Sequence, residues 1–423
     1  MIELNADSPD LRDIIRAGDT VLVSQGTSEP LALTQALVRQ RAELGGVTLF
    51  FGPVFSQTWQ PEQADHLRFT GYGALGNCGR LSKAGVFEPI TTHVSQLPAQ
   101  IGDGTLPCDV VLLQLSAPNN HGRFSFGAAN DYLIDAARKA RVVIAEINDQ
   151  APWTFGGEAL EHLRIDYCVH TSRPLLELPP TRIGDIERRI AGHAAAYIGD
   201  GAVLQTGIGA IPDAILSALR DRRDLGIHSG LIGDSVVELI EAGAITNARK
   251  TIDRGVSISG VIFGTQRSYA FAHKNPLVKL QPVTYTHDVQ VMGSIDDFIA
   301  INSAIEVDLT GQVNAEMAGA DYIGAVGGQV DFVRGANRSR GGRSIIAFPS
   351  TTKNDSITRI VGRIASGTVS TPRSDADLVV TEWGAAELRG QTLAERARRM
   401  IAIAHPDFRE QLEREAHTLL RRG

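Results

Sequence analysis

Residues 201–234 read GAVLQTGIGAIPDAILSALRDRRDLGIHSGLIGD, and this stretch decides the fold. An apolar run, Ala202–Gln205, breaks into a glycine loop, Thr206-Gly207-Ile208-Gly209. A helical pattern follows, with Pro212 in its first turn, where a missing N–H costs nothing. Ala214, Ile215, Ala218 and Leu219 recur at helical spacing, which predicts one face packed on a sheet. A second short strand, Leu225–Ser229, comes next, and another helix starts near Asp234. Strand, loop, helix and strand in this order form the unit of a parallel sheet covered by helices.

The same alternation extends outward. TVLVSQ (20–25) precedes EPLALTQALVRQRAEL (29–44), DVVLLQLS (109–116) precedes ANDYLIDAARKA (129–140), and RVVIAEIN (141–148) follows at once. A faint internal repeat is visible. Gly18-Asp19-Thr20-Val21-Leu22-Val23 leads through Gly26 to Pro30, as Gly201–Gln205 leads through Gly207 and Gly209 to Pro212. With 423 residues the chain is too long for one ordinary core. The expectation is an α/β fold of two similar open parallel-sheet domains, residues 1–180 and 190–423. LELPPTRIGDIERRIAGH (176–193), with its Pro179-Pro180 pair, is the candidate linker.

Bulk properties exclude several classes. A net charge of −7 argues against nucleic acid or an anionic membrane as the main partner. No apolar run is long enough to span a bilayer, and the first residues lack the basic start and apolar block of a signal peptide. Cys78, Cys108 and Cys168 are scattered without C-x-x-C spacing, which reads as buried thiols in a reducing compartment. A cytoplasmic protein is expected. No H-E-x-x-H or Cys/His cluster suggests a metal.

Gly207, Ile208 and Gly209 lie between a strand and a helix N-terminus, a geometry that suits a phosphate, a carboxylate or a developing oxyanion. As a dinucleotide fingerprint the loop is poor, because Pro212 stands where a third glycine belongs. A second glycine cluster, Gly324 to Gly335, contains Gly327, Gly328 and Gln329 and leads into an arginine-rich segment. Arg334, Arg338, Arg340 and Arg343 could meet phosphates, although a solvated loop is the simpler reading for each. His121, in SAPNNHG after a strand, is either an acid/base group or a turn histidine bonded to backbone. His228-Ser229-Gly230 places polar groups at a strand end, but Ser229 is not in G-x-S-x-G, and adjacent side chains diverge, so no dyad is implied.

Taken together, GIGAIPDAIL (207–216), LGIHS with Asp234 and VVEL (236–239), NSAIEVDLTGQV (302–313), GAVGGQVDFVRGA (324–336), IIAFPS (345–350) and DADLVVTEWGAAELRG (375–390) resemble the acetyl-CoA hydrolase/transferase family. The nearest branch is the 4-hydroxybutyrate CoA-transferases. SAPNNHGRFSFG (116–127), VVIAEINDQAP (142–152) and RARRMIAIAHPDF (396–408) extend the resemblance over nearly the whole chain.

The resemblance implies two CoA-transferase-type α/β domains with coenzyme A, as acyl-CoA substrate, bound at the cleft between them. It implies a glutamate that attacks the thioester and carries CoA covalently. The Gly207–Gly209 loop would supply oxyanion donors, and Gly327-Gly328-Gln329 would lie along the CoA. The departure falls in the opening stretch: the family turn reads His-Ser-Glu-Met, and this chain reads His228-Ser229-Gly230-Leu231. Glycine forms no anhydride.

Three functions follow as expectations. The first is an acyl-CoA-utilising enzyme without a glutamyl-CoA intermediate, doing hydrolysis, transfer to a non-carboxylate acceptor, or cyclisation. Gly207, Gly209, His228, Ser229 and Gly230 would form its catalytic site, with acyl-CoA and a small-molecule acceptor as partners. The second is CoA transfer to a carboxylate, either inactivated or rescued by Asp234, Glu316, Glu146, Glu306 or Glu382. The third is a non-catalytic CoA-binding protein. Sequence alone also predicts that Gly230→Glu, in an otherwise intact cleft, gains acetate-dependent CoA exchange. The oligomeric state is left open, with a homodimer the natural candidate.

Overall fold

Two open sheets organise the computed structural model, which describes residues 1–421. The first comprises β1 (Ile2–Glu3), β2 (Thr20–Val23), β3 (Val47–Phe51), β4 (Leu67–Gly71), β5 (Phe87–Pro89), β6 (Val110–Ser116), β7 (Val142–Asn148) and β8 (Tyr167–Thr171). Their order is β1-β8-β7-β6-β2-β3-β4-β5, and every pairing is parallel. β6 and β7 are buried at every position, as strands covered on both faces require. Their β-branched and leucine side chains feed two clusters, one around Leu49 and Leu112, the other around Leu113 and Tyr132.

The second sheet comprises β9 (Val203–Gln205), β10 (Gly226–Ile227), β11 (Phe298–Asn302), β12 (Arg343–Ala347), β13 (Leu378–Thr381) and β14 (Gly384–Glu387), in the order β10-β9-β11-β12-β13-β14. It is parallel except for the antiparallel edge pair β13–β14. Helix α1 (Ala210–Ala218) follows β9, as its sequence pattern requires. Its buried residues are Pro212, Ala214, Ile215 and Leu216, with Leu219 just beyond its end. Three of the four residues expected on the packed face, Ala214, Ile215 and Leu219, are buried; Ala218 is exposed, and Leu216 is buried as well.

The segment read as a linker is only partly one. Asp185–Ala195 is a helix whose Ile190, Ala191, Ala194 and Ala195 enter the second sheet's core, because these apolar residues repeat at helical spacing. Residues 257–283 stitch the halves together. Ile262 N donates to the Ala128 carbonyl at 2.8 Å, and Val283 N donates to that of Asp131 at 3.0 Å.

Candidate active site

The C-terminal ends of strands from both sheets converge on one cavity of about 180 Å³. Gln25 lies just beyond β2, Pro53 beyond β3 and Tyr72 beyond β4, while Gln205 ends β9 and Asn302 ends β11. Ligands gather at such ends because the loops there are free to differ while the strands stay fixed. A second cavity of about 300 Å³ lies outside, beneath Pro179 and Pro180, and shares Thr206, Gly207 and Phe263 with the first.

The loop between β9 and α1 forms the wall common to both. Gly209 has φ +110° and ψ 177°, a backbone region essentially reserved for glycine, so the turn into α1 depends on it. Among the described residues, the backbone N–H groups of Gly207, Ile208 and Gly209 bond to no other protein group. Backbone donors left unpaired at a helix start await an acceptor from solvent or ligand. Gly207 lines both cavities, and Ile208 is exposed.

The His228-Ser229-Gly230 turn divides its labour. His228 and Ser229 are fully buried and do not line the cavity. His228 Nε2 lies 3.2 Å from the Thr286 carbonyl. Burial first, and the nearby Lys250 charge second, push its pKa down to about 3, so the ring is neutral. Ser229 Oγ accepts from Thr206 N at 3.2 Å and donates to the Thr206 carbonyl at 3.1 Å. Ser229 therefore clamps the turn to the glycine loop at Thr206 and His228 ties it to Thr286, and neither side chain lines the inner cavity. Gly230 does line it, and its carbonyl accepts from Gly260 N and Val261 N, both at 3.1 Å.

The space beside Gly230 is occupied. A Cβ built there would lie 2.9 Å from His287 Cε1, 3.0 Å from Nε2 and 3.2 Å from Phe332 Cζ. On its other side, a Cβ at Gly328 would sit 2.6 Å from His287 Cδ2 and Nε2. The imidazole thus lies between two glycines, against Phe332 at 4.5 Å between ring centroids. Its Nδ1 is 2.9 Å from Thr286 Oγ1, which in turn donates to the Pro282 carbonyl at 3.3 Å. With the hydroxyl proton assigned to the Pro282 carbonyl, Nδ1 carries the imidazole proton and Nε2 keeps a free lone pair. Burial, then proximity to His228, push the His287 pKa down to about 3. The N-terminal end of the helix α2 (Gln329–Arg338), starting beside it, also favours the neutral ring.

The opposite wall holds a polar triplet. Tyr72 OH donates to Gln25 Oε1 at 2.7 Å, and Gln25 Nε2 donates to Asp131 Oδ2. Asp131 Oδ1 accepts from Leu133 N at 3.1 Å, and burial raises its pKa to about 7. Asp131 is the carboxylate among the lining residues, and no lysine or arginine is among them.

The carboxylates expected as substitutes lie elsewhere. Asp234 is held by Thr265 and Ser268, Glu316 by Ser370 and Tyr322, Glu146 by Ala32 N and Thr171, Glu306 by Asn314, and Glu382 by Ser350. None lines the inner cavity. Arg334, Arg340 and Arg343 pair with Asp375, Asp296 and Asp377 respectively. His121 is exposed on a separate turn, its N–H bonded to Asn119 Oδ1 at 2.9 Å. Gly327, Gly328 and Gln329 do reach the cavity, pinned there by Val94 N donating to the Gly327 carbonyl at 3.0 Å. Sequence reasoning missed His287 and Asp131. Asp131 carried one faint signal, its place just after the loop that follows β6. His287 carried none.

Two α/β sheets presenting their strand ends to a shared, partly polar cavity form the arrangement in which α/β folds bind ligands. The acetyl-CoA hydrolase/transferase N-terminal domain model matches residues 6–175, and the C-terminal domain model matches residues 264–416. The chain is 41% identical over 399 residues to the 4-hydroxybutyrate coenzyme A transferase of Clostridium kluyveri, covering 93% of each. It is also similar to two solved structures. The 4-hydroxybutyrate CoA-transferase of Porphyromonas gingivalis superposes with a TM-score of 0.83 at 36% identity, over 100% of this chain and 98% of that one. RipA from Yersinia pestis superposes with a TM-score of 0.90 at 34% identity, over 97% and 96%. The chain belongs to the acetyl-CoA hydrolase/transferase family.

Proposed function

We propose that this protein is an acyl-CoA-utilising enzyme that acts on a thioester without a glutamyl-CoA intermediate. One observation carries the reading: residue 230, where the family resemblance calls for a nucleophilic glutamate, is glycine, and His287 fills the space beside it. The inner cavity would take the acyl group, and the outer cavity would take the arm of CoA leading to it. The two meet at Gly207, whose unpaired N–H and those of its neighbours would face the thioester oxygen. The division at residues 180–190 then separates two halves that close on one substrate. A cytoplasmic setting fits the three free cysteines.

A second reading has a specific observation behind it, namely the Asp131 carboxylate in the cavity wall. Carboxylate exchange would then run through an aspartyl-CoA. Both oxygens of Asp131 are already engaged, which favours the first reading. The experiment is to incubate the purified protein with a series of acyl-CoAs, follow free thiol, and treat with borohydride before mass spectrometry. Thiol release with no CoA adduct on the protein is expected. A borohydride-trapped carboxyl-CoA adduct would sink the proposal.

A further inference from the structure

We infer that His287 is the base of a water-dependent thioester cleavage, so that the enzyme is a histidine-dependent acyl-CoA hydrolase. The inference rests on the acyl-CoA reading above and adds the reaction and the residue. Three observations converge. The imidazole lines the inner cavity beside Gly230, the position at which the family resemblance implies a glutamate. Its Nδ1 is committed to Thr286, which leaves Nε2 as an acceptor with no protein partner among the described residues. The same cavity is bounded by Gly207, at the start of the run of unpaired backbone donors.

The step balances without any further co-reactant. A water oxygen forms a bond to the thioester carbonyl carbon while its proton passes to His287 Nε2. The carbonyl oxygen becomes an oxyanion facing the N–H groups of the Gly207–Gly209 loop. Collapse breaks the C–S bond, the thiolate of CoA takes the proton from His287, and free carboxylic acid and CoA thiol leave. The neutral imidazole is restored. Lowering of the His287 pKa by burial keeps the base form present across the physiological range, at the cost of intrinsic basicity.

Alternative roles for the imidazole make different predictions. As a mere space-filler, it should be replaceable by a neutral group of similar size. The test uses the full-length enzyme with acetyl-CoA, butyryl-CoA and 4-hydroxybutyryl-CoA in H2¹⁸O, with His287→Asn as the variant and CoA binding followed by calorimetry. The expected result has three parts. Wild type releases CoA thiol with ¹⁸O in the free acid. His287→Asn lowers kcat by about 10²–10⁴-fold. Its Kd for CoA stays within about twofold of wild type, as expected when a proton-transfer group is lost without a binding group. If His287→Asn misfolds, His287→Ala with added imidazole replaces it, and turnover that rises with imidazole concentration is then expected. Wild-type hydrolysis that persists within threefold in the variant, or stays flat with imidazole, overturns the role of His287 but leaves the acyl-CoA reading standing. Acyl transfer to another acceptor without ¹⁸O uptake overturns hydrolysis. Absence of both CoA binding and thiol release in wild type overturns the underlying reading itself.

Discussion

Replacing Gly230 by glutamate is the substitution that the sequence invites and the structure obstructs. Residue 230 has no positive φ, so its backbone accepts any side chain; the obstacle is space. The first added atom would meet His287 at 2.9 Å and Phe332 at 3.2 Å, closer than packed carbon atoms approach. The ring has nowhere easy to go, being bounded by Gly328 and Phe332 and tethered through Nδ1 to Thr286. Overpacking of this kind costs about 1–3 kcal/mol, and a carboxylate buried among these groups without a cation adds to it. Gly230→Glu alone should therefore unfold earlier in urea and gain no acetate-dependent CoA exchange, contrary to the expectation from sequence alone. Gly230→Glu combined with His287→Ala removes the obstruction. The double variant should recover part of the lost stability, with a coupling between the two sites of about 0.5–3 kcal/mol. It is also the variant in which exchange and a borohydride-trapped glutamyl-CoA should appear. The assay pairs urea midpoints of the four proteins in the cycle with isotope exchange between acetate and acetyl-CoA. Equal stability of wild type and Gly230→Glu, or additive effects across the cycle, would refute the packing argument.

Gly209→Ala should cost about 1–3 kcal/mol in thermal or urea unfolding, because its φ of +110° strains any side chain while open space surrounds it; thiol release should fall with it, and an unchanged midpoint would count against the turn geometry. The cavity wall offers no lysine or arginine, so butyryl-CoA should exceed succinyl-CoA in kcat/KM by about tenfold or more, and the reverse order would place an unseen cation in the site. His287, depressed to about 3 from an unfolded value near 6.5, contributes stability that is present above pH 6.5 and lost as pH falls toward 3. Relative to wild type, His287→Asn should therefore improve by about 2 kcal/mol between pH 6.5 and 5 in urea titrations. Asp131, raised to about 7, acts in the opposite direction: its contribution is lost as pH rises through 7, so Asp131→Asn should gain on wild type between pH 5 and 8.

Much of the scaffold was legible because it depends on local pattern. β6 and β7 coincide with DVVLLQLS and RVVIAEIN almost residue for residue, since an apolar run of that length has few other places to go. The glycine loop was legible for the same reason: Gly207 and Gly209 sit between a strand and a proline-started helix. The packed face of α1 was read correctly except at Ala218, because alanine tolerates either side of a helix boundary. His228 and Ser229 looked reactive because a strand end is where reactive groups gather. Which of the three adjacent residues reaches the cavity depends on the pairing of Ser229 N with the Ile258 carbonyl, a contact between segments distant in sequence. His287 was invisible for a stronger reason: its role arises only because Gly230, Gly328 and Phe332 surround it from other parts of the chain.

Under the proposed hydrolysis, an imidazole rather than a carboxylate beside residue 230 decides which acceptor the cavity would admit. A carboxylate acceptor arrives as an anion and must shed its hydration in a cavity with no lining cation. Water arrives neutral and needs a base with a free lone pair, the role proposed for His287 Nε2. Asp131 reinforces the choice, since its carboxylate, when ionised, repels a second anion. On the proposed reading, the glycine at 230 and the His287 imidazole beside it bias this cavity toward hydrolysis over carboxylate exchange.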